Sequence, residues 1–198
     1  MPLSELQLRV ATLAFELPEA RGFALAGGGA LIIHGIVDRS TNDLGCFGPT
    51  RDSVDAFWPA IESALVDAGL EVERGVVAHG YATLYITDPK SAARTQIDVG
   101  FDPAFRLPTT TAIGPIRALD DLAGDKLLAL FGRAAPRDFV DVHALRTRYS
   151  RHQLEALAAA KDLGFNLDVL RDAFGVLGSL PRRPCNSHQL LPHSGPVA

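Results

Sequence analysis

The sequence predicts an α/β fold with an N-terminal lobe that contains the strands and a C-terminal lobe that is made of helices. Residues 81–87 and 95–101 alternate in side-chain character with a period of two, which is typical of strands whose faces meet different surroundings. From residue 118 onward the apolar residues recur at helical spacing instead. Three prolines between residues 103 and 117 mark the seam between the two halves.

The composition fits one globular domain or two small lobes, because the chain has 198 residues, a hydrophobic fraction of 47% and a formal net charge of −4. No stretch long enough to cross a bilayer lacks both charged residues and Gly or Pro, and residues 1–16 carry charges where a signal peptide would be apolar. We therefore expect a cytoplasmic protein with no membrane partner. The two cysteines, Cys46 and Cys185, are too few for a disulfide framework and are expected to be free thiols.

The individual elements follow from apolar spacing and from the residues that end each run. In the first half the pattern predicts helices over 3–17, 30–36 and 53–68 and strands over 23–26, 43–47, 81–87 and 95–101. In the second half it predicts helices over 118–132, 137–149, 150–160 and 166–177. The last residues mix Pro, His, Ser and Gly without periodicity. The predicted organisation is an α/β lobe at 1–112, a helical lobe at 113–180 and a flexible tail at 181–198.

A run of three glycines, 27–29, lies between an apolar strand and a helix. Glycines there let the backbone approach a ligand, and the free N–H groups at a helix start favour phosphate. Asp43 follows on the next strand, where a carboxylate could hold a magnesium ion that bridges nucleotide phosphates. Each feature also has a plain structural interpretation, since glycines form ordinary turns and an aspartate can cap one.

The helical half carries most of the candidate cations. Lys126 lies within an otherwise apolar helix, where its ammonium group could reach a triphosphate or could extend to solvent from the surface. Asp138 and Asp141 are three residues apart and share a helix face, so either could pair with a cation or position a nucleotide. Four arginines could line a groove for an RNA backbone or could be solvated: Arg133, Arg137, Arg146 and Arg148.

Two separated motifs resemble those of the nucleotidyltransferase superfamily and, more narrowly, those of the AbiEii/AbiGii toxin family with its Men-type tRNA-modifying members. The first runs from Leu25-Ala26-Gly27-Gly28 to Arg39-Ser40-Thr41-Asn42-Asp43-Leu44, and the second comprises Lys126, Arg133 and Arg137-Asp138-Phe139-Val140-Asp141. The resemblance covers roughly residues 20 to 145. It implies a nucleotidyltransferase-like lobe with a mixed β-sheet, followed by a helical lobe.

The resemblance also implies roles for particular residues. Asp43 and Asp98 would hold Mg²⁺ or Mn²⁺, and Asp43, Lys126 and Asp141 would be catalytic. The NTP substrate would be bound by a larger set: Gly27, Gly28, Arg39, Ser40, Lys126 and Asp138. One position departs from the family pattern, because Gly45 stands where the family carries its second aspartate. A second metal ion would therefore lack one of its carboxylate ligands.

The function implied is that of a toxin in a toxin–antitoxin system, which adds nucleotides from a pyrimidine NTP such as CTP to the 3′ end of tRNA and so blocks translation. The expected partners are tRNA and a cognate antitoxin. In related toxins a kinase-like antitoxin phosphorylates the residue that matches Thr41, where a phosphate would repel the triphosphate. Two alternatives remain open. The nucleotide could be transferred to a protein hydroxyl, or Gly45 could leave the chain a catalytically silent binder of nucleotide or RNA.

Overall fold

The computed structural model describes residues 3–177, whose strands form one seven-stranded sheet in the order β3-β4-β5-β2-β1-β7-β6. The strands are β1 (Ala24–Ala26), β2 (Asp43–Gly48), β3 (Glu71–Ala78), β4 (Tyr81–Thr87), β5 (Arg94–Phe101), β6 (Thr109–Thr111) and β7 (Gly114–Ile116). The β2 strand runs parallel to β5, and β1 runs parallel to β7, whereas the other neighbours are antiparallel. The predicted α/β fold with a mixed sheet is therefore confirmed.

Within the described residues, seven α-helices accompany the sheet, and the last four follow one another at the C-terminal side. They are α1 (Glu5–Phe15), α2 (Gly27–Ile33), α3 (Arg51–Asp67), α4 (Leu119–Arg133), α5 (Pro136–Leu145), α6 (Arg151–Lys161) and α7 (Leu167–Leu177). Side-chain hydroxyls begin three of them: Ser4, Thr50 and Ser150 each accept a hydrogen bond from a backbone N–H of the first turn. These caps fix where each helix starts.

The two faces of the sheet differ because side chains alternate along each strand. The α1 and α3 helices pack against one face, where Leu44, Leu84 and Ile97 are fully buried in the core. Phe23 and Phe57 are also buried there, with ring centroids 4.3 Å apart. Residues that alternate with these core positions project from the opposite face. That face therefore receives the polar residues of β2 and β5.

Most predicted elements are present with small shifts in their bounds. The strand over 81–87 is found as predicted, and those over 43–47 and 95–101 each gain one residue. The second helix begins at Gly27, ahead of the predicted start at residue 30, because the buried Gly28 and Gly29 are part of its first turn. Glycine is a weak helix former, so the apolar pattern alone does not include it.

The third strand was missed because β3 lies at the edge of the sheet and is exposed at most of its positions, which removes the apolar alternation. The short β7 strand, Gly114–Ile116, follows the expected lobe boundary at 112 and still belongs to the sheet. The expected flexible tail at 181–198 and Cys185 lie outside the described residues, whereas Cys46 is a buried free thiol. Within residues 3–177, no helix combines the length and apolar character needed to cross a bilayer.

Phe57→Ala tests the packing between α3 and the sheet. The fully buried ring contacts Phe23, so its removal leaves a cavity, and we expect the free energy of unfolding to fall by about 3–5 kcal/mol. Chemical denaturation followed by circular dichroism measures the change. Phe57→Leu should cost less, and Phe105→Ala, at a ring that is 55% exposed, should cost little. Equal stability of Phe57→Ala and wild type would contradict this packing.

Candidate active site

A cavity of about 310 Å³ opens between the polar face of the sheet and the helices α4 and α5. Both predicted motifs contribute to its wall. The residues that line it are Ala26, Gly27, Gly28, Arg39, Thr41, Asp43, Gly45, Phe47, Tyr81, Asp98, Asp125, Lys126, Ala129, Arg133 and Arg137. The structure thus places a glycine turn, two strand carboxylates and four cations around one space.

The glycine turn contributes backbone to the cavity at a position where side chains would interfere. Gly27 adopts a left-handed conformation with φ of +65°, which other residues rarely take. A Cβ atom on Gly28 would come within 3.1 Å of both Arg39 Nη2 and Thr41 Oγ1. The absence of side chains here therefore lets the arginine and the threonine lie directly against the turn.

Asp43 and Asp98 lie on neighbouring parallel strands and face the same cavity. In the register of β2 and β5, Asp98 is aligned with Gly45, and Asp43 is two residues before Gly45 on the same face. Asp43 Oδ1 accepts a hydrogen bond of 3.0 Å from the Thr41 hydroxyl. Both carboxylates therefore line one cavity, next to the glycine turn.

Three neutral side chains orient Asp98. Its Oδ1 atom accepts hydrogen bonds from the hydroxyls of Thr83 at 2.7 Å and Tyr81 at 3.0 Å, and Gln96 Nε2 donates to both carboxylate oxygens. Burial, together with the neighbouring Asp98 carboxylate, raises the pKa of the Tyr81 hydroxyl above its ordinary value, although the Thr83 hydrogen bond opposes this rise. Tyr81 therefore remains a neutral donor.

The donor set fits one hard cation. Among the described residues no group of three or more Asp, Glu, His or Cys side chains could hold a metal ion, and the two strand carboxylates, Asp43 and Asp98, are the pair on the sheet that faces the cavity. Mg²⁺ commonly takes one or two carboxylates and completes its shell with water and substrate phosphates. Asp43 and Asp98 satisfy that requirement, whereas a site made only of protein ligands would need more oxygens.

The space beside Gly45 is filled by the Phe47 ring. A Cβ atom on Gly45 would lie 2.9 Å from Phe47 Cε2, so any side chain at this position requires the ring to move. The same ring lies against Gly100 of β5, where a Cβ atom would be 2.8 Å from Phe47 Cε1. An aromatic ring thus covers Gly45, the position at which the resemblance implies a second carboxylate.

Asp141 of α5 connects the segment before β2 to α4 through two cations. Its carboxylate is fully buried and accepts hydrogen bonds from Arg39 Nε at 3.0 Å and from Arg39 Nη2 at 2.8 and 2.9 Å. Lys126 Nζ lies 2.8 Å from Asp141 Oδ2, and only 9% of the Lys126 side chain is exposed. One negative and two positive charges leave this cluster of three side chains with a net positive charge.

Asp138 lies outside the cavity and is paired with Arg133. Its carboxylate accepts two hydrogen bonds of 2.8 Å from the Arg133 guanidinium and one of 3.1 Å from the Ala135 N–H. Burial alone would raise the pKa of Asp138, but Arg133 and the Ala135 N–H outweigh it and lower the pKa below its ordinary value. The contacts show Asp138 orienting Arg133, which does line the cavity.

The structure brings together only some of the expected binding residues. Arg133 and Arg137 line the cavity, but Arg146 lines a separate groove between α4, α5, α6 and α7, and Arg148 is exposed beyond α5. Ser40 is also exposed, and its carbonyl oxygen accepts a hydrogen bond from Arg39 Nη1. Sequence spacing cannot show this division, because these arginines lie on different faces and turns of the helical lobe.

Sequence reasoning did not single out Phe47, Tyr81 or Asp125, which also line the cavity. Asp125 pairs with Arg117 at 3.2 Å and with Lys161, while burial raises the pKa of its carboxyl group. The alternation of 81, 83 and 85 on β4 with Asp98 on β5 could have indicated Tyr81, once these strands were known to pair. Which strands pair is decided by the tertiary structure and not by the local sequence.

The mixed sheet, the glycine turn beside Asp43 and Lys126 of α4 are the features that the resemblance to nucleotidyltransferases implies, and the family comparison shows that this class is correct. The family description "Nucleotidyl transferase AbiEii toxin, Type IV TA system" matches residues 12–165. The chain therefore belongs to the AbiEii nucleotidyl transferase toxin family of toxin–antitoxin systems, as the two sequence motifs predicted. The comparison with curated proteins gives no match.

Solved structures share the fold at low identity. JHP933 from Helicobacter pylori is 16% identical, with a TM-score of 0.55 over 89% of this chain and 92% of that one. A crystal structure of a Helicobacter pylori protein assigned as a nucleotidyltransferase is 17% identical, with a TM-score of 0.57 over 90% of this chain and 85% of that one. These similarities extend over nearly the whole length of both chains and concern the fold alone.

Asp138→Asn tests the ion pair with Arg133. Because the pKa of Asp138 is lowered in the folded state, its carboxylate contributes stability above the unfolded pKa of about 4, and this contribution is lost as the pH falls through the folded pKa. We expect the variant to lose about 1–3 kcal/mol of unfolding free energy at pH 7 and the difference to shrink below about pH 4. Urea denaturation across this pH range measures it.

A matched control for this variant is Asp168→Asn. Asp168 also pairs with an arginine, Arg171, at 3.0 Å, but both side chains are about three-quarters exposed. We expect a change of less than about 1 kcal/mol there at every pH, because water screens exposed pairs. An Asp138→Asn penalty that is equally small, or one that does not depend on pH, would contradict the role given to this buried carboxylate.

Proposed function

We propose that this protein is an RNA nucleotidyltransferase toxin that transfers nucleotides from an NTP to the 3′ end of tRNA in the cytoplasm and so blocks translation. The observation that carries the proposal is the shared cavity, in which Asp43 and Asp98 face Lys126 beside the glycine turn. Family membership supports nucleotidyl transfer by a toxin. The tRNA acceptor and a pyrimidine NTP such as CTP follow from the resemblance to the Men-type members.

The glycine turn and the cations held by Asp141 would bind the triphosphate. The backbone of Gly27 and Gly28 can approach the phosphates closely, while Arg39 and Lys126 present positive charge from opposite lobes. Asp43 and Asp98 would hold Mg²⁺ or Mn²⁺, which neutralises phosphate charge when bound. In this scheme Asp141 keeps both cations in place, and Asp138 acts on the nucleotide only through Arg133.

Asp98 also lies next to the position proposed for the acceptor hydroxyl. Its Oδ1 atom is surrounded by three donors, whereas Oδ2 accepts from Gln96 alone and keeps capacity to coordinate the cation. A 3′ hydroxyl next to that cation would attack the α-phosphorus, with pyrophosphate as the leaving group and water as the acceptor of the hydroxyl proton. Positioning and charge neutralisation supply the catalysis.

Control by the antitoxin is proposed at Thr41. The Thr41 hydroxyl lies in the cavity and donates to Asp43, so a kinase acting there would place a dianionic phosphate beside the proposed metal ligand. Such a phosphate would repel the triphosphate and compete for the cation. Arg133 and Arg137 are the arginines placed to contact the tRNA backbone near this site, and Arg146 and Arg148 would do so only at a distance.

A catalytically silent binder is the second candidate, and the Phe47 ring beside Gly45 is the observation that favours it. With no second carboxylate on β2, the activation of the acceptor rests on Asp98 and one ion. Calorimetric NTP binding without turnover would identify this case. Transfer to a protein hydroxyl is distinguished by labelled nucleotide that appears on a polypeptide and not on RNA.

Asp43→Asn tests the proposed reaction. When the wild type is incubated with Mg²⁺, each labelled NTP and total tRNA, it should extend tRNA with one NTP or a few. We expect Asp43→Asn to transfer nucleotides more slowly by about a hundredfold or more, because it loses a metal ligand. Removal of divalent cations with a chelator should stop the reaction. Asp67→Asn, at an exposed residue near the end of α3, should leave the rate unchanged. Failure of the folded wild type to extend any tRNA would refute the proposal.

Restoring the missing carboxylate tests the role of Gly45. Gly45→Asp alone collides with Phe47, so we combine it with Phe47→Ala and compare it with Gly45→Ala/Phe47→Ala, which has the same space but no carboxylate. If the second ion limits the rate, the aspartate variant should transfer nucleotides at least about tenfold faster than its alanine control. Equal rates, measured with labelled NTP over a Mg²⁺ titration, would show that a second carboxylate adds nothing.

A further inference from the structure

The sheet face that carries Asp98 is also aromatic. Tyr81 and Tyr85 project from β4 on this face, on either side of Thr83, which is aligned with Asp98 of β5. Phe47 of β2 is aligned with Gly100, and Gly100 is aligned with Tyr81. These three rings, Phe47, Tyr81 and Tyr85, form what we call the aromatic track.

Glycines on neighbouring strands let the rings lie over the sheet. A Cβ atom on Gly75 of β3 would lie 2.8 Å from Tyr85 Cε2, and one on Gly100 would lie 2.8 Å from Phe47 Cε1 and 3.5 Å from Tyr81 Cδ2. The tyrosines are nonetheless 36% and 46% exposed. Their rings are therefore supported by the sheet and still accessible from outside.

The track meets the proposed reaction at Asp98. Tyr81 Oη donates to Asp98 Oδ1 at 3.0 Å, and Tyr81 lines the cavity. Tyr85 lies four residues farther along β4, about 13 Å from Tyr81. Alternation along β5 puts Arg94 on the same face as Asp98, next to Thr87 of β4. A chain that places its last hydroxyl at Asp98 would continue over Tyr85 toward this arginine.

We infer that the aromatic track binds the unpaired 3′ end of the acceptor RNA by base stacking; this rests on the function proposed above. An aromatic face stacks on any base, but the base must be unpaired to expose its own face. Glu73, aligned with Tyr85 at the edge strand, disfavours phosphates there and keeps the RNA backbone over β4 and β5.

The experiment measures RNA binding separately from transfer. Fluorescence anisotropy with the full chain, Mg²⁺ and a labelled single-stranded oligoadenylate gives the Kd, and a blunt RNA duplex serves as competitor. We expect Tyr85→Leu to weaken binding by about tenfold or more, and Tyr85→Phe and Tyr85→Trp to retain it. Phe101→Leu is the matched control, because this exposed ring lies on the same sheet but contacts Arg51 of α3. It should bind as the wild type does.

Wild-type affinity in Tyr85→Leu, or a duplex that competes as well as single-stranded RNA, would overturn the inference. If Tyr85→Leu unfolds at a lower temperature than wild type, its weak RNA binding could result from lost stability, and Tyr85→Trp then provides the test. Weak RNA binding by folded Tyr85→Trp, which keeps an aromatic ring, would contradict stacking. In the transfer assay Tyr85→Leu should raise KM for RNA and leave KM for NTP unchanged. Unchanged KM for both overturns the track while the proposed function stands. If the wild type binds RNA in a ring-dependent way but transfers no nucleotide, the result supports RNA binding by the aromatic track and refutes the proposed function.

Discussion

The buried carboxylate of Asp141 is the constraint on which the site depends. It accepts hydrogen bonds from Arg39, which precedes β2, and pairs with Lys126 of α4. Leaving such a group buried without these partners would cost several kcal/mol, so α5, α4 and the segment before β2 pack stably only in an arrangement that satisfies it. That arrangement sets Arg39 against Gly28 and brings Lys126 to the cavity. The interaction that joins these helices to the segment before β2 therefore also positions the cations of the proposed phosphate site.

Acidic side chains also hold other cations in place around the cavity. Asp138 holds Arg133, and Asp125 contacts Arg117 and Lys161, so several acidic residues of the helical lobe hold cations in place. A chain with a net charge of −4 can in this way present arginines and a lysine to an anionic substrate. The overall charge of the protein gives no guide to the polarity of this local surface.

Gly45 and Phe47 must be interpreted together. The glycine leaves β2 without a side chain at this position, and the ring two residues later fills the space beside it and beside Gly100. An apolar surface thus lies next to Asp98, where the resemblance implies a second carboxylate. Under the proposed function, this surface next to Asp98 is suited to contact a base of the acceptor RNA and not to bind a second metal ion.

The sequence by itself determined the fold class, the helices, the strand of Asp43 and the two motifs that indicate a nucleotidyltransferase, because these depend on local periodicity, capping and motif spacing. It could not predict β3, whose exposed edge position removes the alternation that marks other strands. Only the tertiary structure decided which residues meet at the site. It separated Arg133 from Arg146, turned Asp138 toward Arg133 and placed Tyr81 on Asp98. Those contacts join residues far apart in the chain, and strand pairing and lobe packing fix them.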